Sequence, residues 1–303
     1  MTAPGVVALG LMALGAPAMP GIAGKTKSML TGRRGAPVLQ LYADLWKLLR
    51  KGAVYSTTTS WVFRAGPMIL LGSVTVATLF LPLDGRSAPL GFGWDLVAFA
   101  GLLALGRFAL VLAGMDTGSS FEGMGASREV TIAAFAEPAL FLCFIVLVLT
   151  TRDLSLSGML GMSLQAAWPR AWASLSLVGI SLFVLLLAEN SRVPVDDPAT
   201  HLELTMIHEV IVLDHSGPDL ALILYAAALK LEVFGVLVVS VFAPRAGLSG
   251  PWAVAGLFGG LALVAVAVGV VESVMARLRL NRVPQLLVGA AALAVVGVIL
   301  QLR

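Results

Sequence analysis

Apolar positions in this chain come in long unbroken runs, and the runs recur. Eight stretches of about 20 mostly apolar residues lie near 4–24, 62–82, 95–115, 131–150, 171–190, 219–243, 252–275 and 284–302. A helix needs about 20 such residues to cross the hydrocarbon core. Strand-like alternation is absent, and in lipid every backbone group must be satisfied within the segment, which helices do. The pattern predicts an all-α polytopic membrane protein of eight transmembrane helices, read as one transmembrane domain over residues 1–303. The first run lacks a positive leader region, contains Pro17 and Pro20 and is followed by Lys25 and Lys27. It is therefore read as a span and not as a cleaved signal peptide.

One segment changes the periodicity. From Pro37 to Gly52, Gln40, Asp44, Lys47 and Lys51 recur at helical spacing, while Leu41, Leu45, Leu48 and Leu49 take the other side with Trp46. This predicts an amphipathic helix lying in the interface, with Pro37 at its first position. It serves either as a lipid anchor or as a docking and cavity-forming element. Ahead of it, Gly32-Arg33-Arg34-Gly35 is a basic turn suited to lipid phosphate or to a partner's acidic surface.

Composition agrees with the hydropathy. Only 12% of the 303 residues are charged and 58% are hydrophobic, against roughly 25% charged in soluble domains. A disordered chain, a soluble enzyme and a nucleic-acid binder are excluded. Cys143 is the only cysteine, which excludes an intrachain disulfide and a multi-cysteine metal or iron–sulfur site in this chain.

The positive charge is sided. Loop one carries Lys25, Lys27, Arg33, Arg34, Lys47, Arg50 and Lys51, and the later odd loops add Arg128, Arg192, Arg277, Arg279 and Arg282, twelve in all. The other side carries five, Arg86, Arg152, Arg170, Arg245 and Arg303. The positive-inside rule then puts the loops at about 25–61, 116–130, 191–218 and 276–283 in the cytoplasm and both termini outside.

Ionisable residues inside spans are costly and mark function. Arg107 and Glu137 are expected roughly 9 Å from the cytoplasmic ends of their spans, and Lys230 and Glu232 roughly 17–20 Å deep at 1.5 Å per residue. Glu189 and Glu272 are expected near the cytoplasmic surface, with Asp95 alone at the outer ends. Lys230 and Glu232 stand two apart, so they face different ways and need separate partners. Loop five adds Arg192, Asp196, Asp197, His201, Glu203, His208 and Glu209. Asp197-Pro198 is a helix-start signal, predicting a short helix from about 198 to 213. Three readings compete for this loop: an acidic mouth for protons, a solvated acidic loop, and a hard-metal site, although the spacing is not His-Glu-x-x-His. The graded carboxylates favour a polar funnel open to the cytoplasm, whose mechanism is coupled protonation. Structural ion pairing is the alternative.

The residues also carry a resemblance. Gly32-Arg33-Arg34-Gly35-Ala36-Pro37 with Leu41-Tyr42-Ala43-Asp44-Leu45-Trp46-Lys47-Leu48-Leu49-Arg50-Lys51 resembles the first cytoplasmic loop of the complex I subunit 1 family. Glu189-Asn190-Ser191-Arg192-Val193-Pro194-Val195-Asp196 resembles that family's acidic loop. The quinone-reducing branch usually continues Phe-Asp-Leu-Pro-Glu-Ala-Glu. This chain instead reads from Asp197-Pro198 to His208-Glu209 in the manner of the membrane subunit of formate hydrogenlyase and related energy-converting group 4 [NiFe] hydrogenases. Glu272-Ser273 and the run Ala276 to Pro284 are similar to the same branch.

The resemblance implies a membrane anchor and ion-coupling subunit of a hydrogenase complex in a bacterial or archaeal cytoplasmic membrane. Its partners would be hydrogenase large and small subunits, iron–sulfur subunits and an antiporter-like membrane subunit. The [NiFe] centre and iron–sulfur clusters would sit in those partners, with no cofactor, metal or catalytic centre in this chain. The family's acidic-loop positions carry over as Glu189, Arg192, Asp196, Asp197, Glu203 and Glu209. Depth adds Arg107, Glu137, Lys230, Glu232 and Glu272. Arg33, Arg34, Lys47, Arg50 and Lys51 are the candidate docking surface for the soluble arm. The alternatives are subunit 1 of a proton-pumping NADH-quinone oxidoreductase, a stand-alone secondary transporter and a purely structural anchor. Formate, carbon monoxide, ferredoxin and NADH stay open as electron donor, and proton and sodium as the ion.

Overall fold

The computed structural model describes residues 3–84, 87–196, 206–243 and 250–302, and no strand occurs among them. The helices are α1 (Ala3–Gly15), α2 (Ala18–Leu30), α3 (Gln40–Leu49), α4 (Trp61–Thr78), α5 (Asp95–Asp116), α6 (Ser120–Thr151), α7 (Leu156–Met159), α8 (Met162–Glu189), α9 (His208–Ile211), α10 (Gly217–Phe242), α11 (Pro251–Val274) and α12 (Val283–Gln301). Seven of these elements are long and apolar enough to cross a membrane, α12 together with the short turn that leads into it. The pair α1 and α2, bent by 52°, makes the eighth span.

Several boundaries differ from the hydropathy runs, each for a physical reason. The first run, expected as one helix over 4–24, breaks at Ala16-Pro17 and continues to Leu30. Pro17 has no N–H to carry the ladder onward. Lys25 and Lys27 therefore belong to a helix and not to a loop. The fourth span begins at Ser120, well before its apolar run at 131. Glu122, Arg128 and Glu129 are helical, and the expected loop 116–130 shrinks to a turn at 117–119. Hydropathy reads lipid contact, and this polar start of α6 packs on protein instead. Gly125 lets α9 approach, since a Cβ there would meet the Ile207 carbonyl at 3.1 Å and Ile211 Cγ1 at 2.9 Å. The fifth span starts at Met162 and kinks at Ala171, two residues after Pro169.

The interfacial helix is α3, shorter than the expected 37–52, with Pro37 outside it. Leu39, Trp46 and Leu49 are more than half exposed, as suits a helix whose apolar edge meets lipid. Within loop five, α9 is the only helix among the described residues. Half of the segment expected as a helix over 198–213 lies outside them, as do His201, Asp197 and Glu203.

Helix α10 is the axis of the fold. It packs on α4, α8, α11, α3 and α2, and its buried residues run almost unbroken from Ala226 to Val241. Burial on all sides is what a span hydrophobic all round predicts. It also means that a polar group in this stretch of α10 is largely cut off from bulk water, at a cost unless the protein supplies a partner.

Candidate functional site

The ionisable residues of several helices meet where α8 ends. Arg107 of α5 reaches three carboxylates. Its Nη1 donates to Glu137 Oε1 at 2.9 Å, its Nη2 to Glu189 Oε1 and Oε2 at 2.9 and 2.8 Å, and its Nε lies 3.9 Å from Glu129 Oε1. Lys230 of α10 closes the group from the other side. Its Nζ lies 2.8 Å from Glu189 Oε2 and donates to the Glu189 carbonyl at 2.7 Å. Arginine suits the centre because its planar fork serves several carboxylates at once. The Arg107 and Glu189 side chains are 8% and 6% exposed, whereas Glu137 is 44% exposed on the flank of the bundle. Two cations thus face three carboxylates, so the group reaches neutrality only by holding one proton.

This geometry moves Glu189. The sequence puts it near the cytoplasmic surface, yet its partner Lys230 stands 13 residues into α10, or about 20 Å along the helix. The reason is that α8 is displaced towards the opposite end and stops short of the level where α10 begins. Loop five therefore starts inside the bundle. Glu129 is a member that hydropathy misses, because the apolar run hides the helical start of α6.

Glu232 does not join. It turns to the other side of α10, as its two-residue offset from Lys230 requires. It is 1% exposed, and its Oε2 has no hydrogen-bond partner among the described residues.

A second network ties loop five down. Asp196 Oδ1 lies 2.9 Å from Arg277 Nη2, and its Oδ2 accepts the N–H groups of Ile207 and His208 at 3.0 and 3.3 Å. Leu278 N–H donates to the Pro194 carbonyl at 2.8 Å, and Arg128 Nη1 to the Met206 carbonyl at 2.8 Å. Arg192 Nη1 lies 3.4 Å from Glu272 Oε1, whose Oε2 is 3.9 Å from Lys27 Nζ.

Cavities connect the two networks. One of about 200 Å³ is bounded by Pro20, Leu41, Arg192, Asp196, His208 and Glu209. It shares Asn190, Ser191 and His208 with a smaller chamber of about 50 Å³ that also contacts Arg107, Glu129, Glu189 and Lys230. Arg107 and Glu189 in turn border a third, of about 210 Å³, against Glu137, Gly101 and Phe141. Burial holds the His208 imidazole below the ordinary histidine range, with Glu129 and Asp196 opposing that shift and Lys230 adding to it. A neutral imidazole with one donor and one acceptor therefore stands between the loop and the cluster.

The basic candidates sort differently. Arg33, Arg34, Lys47, Arg50 and Lys51 are all exposed. Lys25 Nζ fastens the turn by donating to the Arg34 carbonyl at 2.9 Å, and the Arg50 guanidinium lies 4.4 Å above the Trp46 ring. At the far end of the bundle, Asp95 is joined by a second buried carboxylate, Asp84. That end is therefore not purely apolar, although Asp95 is spent on backbone, accepting the Leu156 N–H at 2.6 Å. Among the described residues, no three His, Cys, Asp or Glu side chains gather so as to hold a metal ion.

His215 offers a test of burial. It stacks on Phe63 at 3.9 Å, is 3% exposed, and neither ring nitrogen has a partner among the described residues. Burial pushes its pKa down to about 4. From the ordinary value down to about 4, the unfolded chain binds a proton that the folded chain refuses. Stability should therefore fall as pH drops through that window and level off below it. His215→Phe keeps the stacked ring and should lose this part of the acid sensitivity, as read from unfolding temperature against pH.

Comparison with known proteins follows the same lines. Residues 4–302 match the family described as NADH dehydrogenase. The chain is 34% identical to hydrogenase-4 component C of Escherichia coli (strain K12), over 75% of this chain and 71% of that one. It is 32% identical to formate hydrogenlyase subunit 4 of the same organism, over 93% and 92%. An NADH-quinone oxidoreductase subunit of Paraburkholderia xenovorans (strain LB400) is 23% identical, over 68% of this chain and 60% of that one. Among solved structures, a chain of the membrane-bound sulfane sulfur reductase, an archaeal respiratory membrane complex, superposes with a TM-score of 0.84 at 18% identity, covering 98% of both chains. That last likeness establishes the fold.

Proposed function

The chain belongs to the NADH dehydrogenase subunit 1 family of multi-pass membrane subunits of oxidoreductase complexes, and from that premise we propose that it is the ion-coupling membrane subunit of a formate hydrogenlyase-like hydrogenase. The stronger identity to the two hydrogenase subunits than to the NADH-quinone oxidoreductase one supports this branch. In this reading a soluble arm docks on the cytoplasmic side, where Arg33, Arg34, Lys47, Arg50 and Lys51 present an exposed basic surface. Hydrogenase large and small subunits and iron–sulfur subunits form that arm and hold the [NiFe] and iron–sulfur centres. This chain carries no redox or catalytic centre of its own. An antiporter-like subunit lies alongside in a bacterial or archaeal cytoplasmic membrane, covering the half-exposed Glu137.

The observation that carries the reading is the mismatch of two cations and three carboxylates around Arg107. A proton arriving by the loop-five cavities neutralises the group. Redox events in the arm move loop five, whose Asn190, Ser191 and His208 border both chambers. The changed field then alters which carboxylate holds the proton, and Arg107 links the buried Glu189 to Glu137 on the flank. Transfer needs only hydrogen-bond reach or a bridging water.

Glu129→Gln and Glu137→Gln should each leave redox turnover of the assembled complex intact. Each should cut proton movement in inverted vesicles roughly a hundredfold, the lower end for loss of a proton-transferring side chain. Wild-type pumping in both variants would remove the cluster from the path.

A further inference from the structure

The break in the first span is provided for by two tyrosines with a buried carboxyl beside them, and their arrangement points to a site apart from the Arg107 cluster. In a continuous helix the Ala13 carbonyl would accept from residue 17 and the Leu14 carbonyl from residue 18. Residue 17 is proline, and the bend interrupts the ladder beyond it. Both carbonyls are taken by tyrosines from other elements. Tyr225 of α10 donates to the Ala13 carbonyl at 2.7 Å, and Tyr42 of α3 donates to the Leu14 carbonyl.

Glu232 is aimed into the same place. It lies seven residues beyond Tyr225 and so on the same face of α10. A Cβ on Gly15, the last residue of α1, would stand 3.6 Å from its Oε1 and 3.6 Å from the Phe258 ring. The carboxyl is 1% exposed. Its Oε2 has no hydrogen-bond partner and it forms no ion pair among the described residues. It also faces the C-terminal end of α1, where the helix dipole is negative. An ionised carboxylate is doubly disfavoured there, by desolvation and by that dipole, whereas a bound proton removes both costs.

We propose that the Glu232 carboxyl, set in the break of the first span, is a second proton-binding site whose occupancy is passed to the interfacial helix α3 through Tyr225 and Tyr42. While the proton is bound, both hydroxyls stay on the backbone carbonyls and α3 is tied to α1. When it leaves, the bare carboxylate offers a charge-assisted acceptor, roughly twice as strong as a neutral one. The Tyr225 and Tyr42 hydroxyls then turn to it, and with Tyr42 gone from the Leu14 carbonyl the tie to α3 is released. Leu41 of α3 borders the 200 Å³ cavity beside loop five, so the state of this site reaches the wall of that cavity. Tyr42 stands within electrostatic range, since burial and then the Glu232 charge raise its phenol above the usual range.

The neighbours leave Glu232 to the tyrosines. Lys230 is engaged with Glu189 on the other side of α10. Lys27 of α2 and Glu272 of α11 face each other, Lys25 is fastened to the Arg34 carbonyl, and Asp44 of α3 accepts from Gln40. The proposal does not depend on proton passage through the Arg107 cluster.

The test uses the full chain in lipid nanodiscs and infrared difference spectroscopy across pH. Apart from the band of the proton held at the Arg107 cluster, wild type should show a carboxylic-acid C=O component at neutral pH that disappears on alkalinisation. E232Q should lack this component and Glu137→Gln should keep it. In parallel, a thiol placed by Leu49→Cys on α3 should label several-fold faster once the band is gone. That response should be absent in E232Q, and Y42F should label fast at every pH. Loss of the band on adding sodium chloride, but not choline chloride, at fixed pH would mean that the site takes sodium, and would overturn the proton reading. An E232Q spectrum or labelling profile identical to wild type would overturn the site itself. If E232Q does not accumulate, Y225F and Y42F decide: each removes a donor from the ionised form, so the band should persist to higher pH, and an unmoved midpoint in both counts against the proposal.

Discussion

Arg107→Met is expected to lower the unfolding free energy of the chain by about 3–5 kcal/mol, the usual cost of removing one partner from a buried ion group. The substitution keeps much of the length and the apolar stem of the side chain, so packing is largely spared. It removes the cation that touches Glu129, Glu137 and Glu189 together. Glu189 keeps Lys230, but three carboxylates then share one ammonium in a desolvated place. Arg107→Lys should fall between, because an ammonium keeps the charge but cannot fork onto Glu189 while reaching Glu137. Glu137→Gln should cost little, about 0–1 kcal/mol, since that side chain is 44% exposed and its pairing is screened. Unfolding of the purified chain in mild detergent, titrated with a denaturing one, measures all three. A loss below about 1 kcal/mol for Arg107→Met would mean that the carboxylates are already neutral and that the guanidinium is not their counter-charge.

How much of this cluster the sequence shows depends on which property carries each residue. Arg107, Glu137, Glu189 and Lys230 stand out because a charge inside an apolar run is conspicuous. Their convergence on one point is invisible in one dimension, since Arg107 and Glu189 are 82 positions apart. Glu129 hides for the opposite reason: it lies in the polar stretch that reads as loop, and the protein packed on α6 covers all but 12% of its side chain. The depth of Glu189 is misjudged because counting residues from a span end assumes that all helices end at one plane, and α8 does not. The opposite orientation of Glu232 and Lys230 is legible, because two residues along a helix differ by about 200°. What awaits Glu232 on the other side, a broken helix with two tyrosines on its carbonyls, is not. Pro17 signals an interruption but not which side chains repair it.

The clamp at the base of loop five makes the second large prediction. Asp196→Ala deletes a carboxylate that is 3% exposed, one oxygen of which pairs with Arg277 while the other accepts two backbone N–H groups. Three donors lose this acceptor. Arg128 stands within electrostatic range of both Arg277 and Asp196, so the two cations lose the carboxylate that screens one from the other. The local cost should be about 3–5 kcal/mol. Because about 1.4 kcal/mol is a factor of ten, amide exchange at Ile207, His208 and the following turn should quicken by roughly two to three orders of magnitude. The Leu278 amide, bonded to the Pro194 carbonyl, should follow because it belongs to the same clamp, whereas amides in the middle of α12 should not. Asp196→Asn retains an acceptor for the two N–H groups and gives up only the charge, so it should lie between. In the assembled complex, and on the function proposed above, Asp196→Ala should keep redox turnover while proton movement falls, since loop five would no longer carry the motion of the proposed soluble arm to the chamber beside Glu189. If exchange at Ile207 and Leu278 keeps its wild-type rate in Asp196→Ala, the carboxylate is not what holds the loop, and the mechanical link from arm to cluster must run elsewhere.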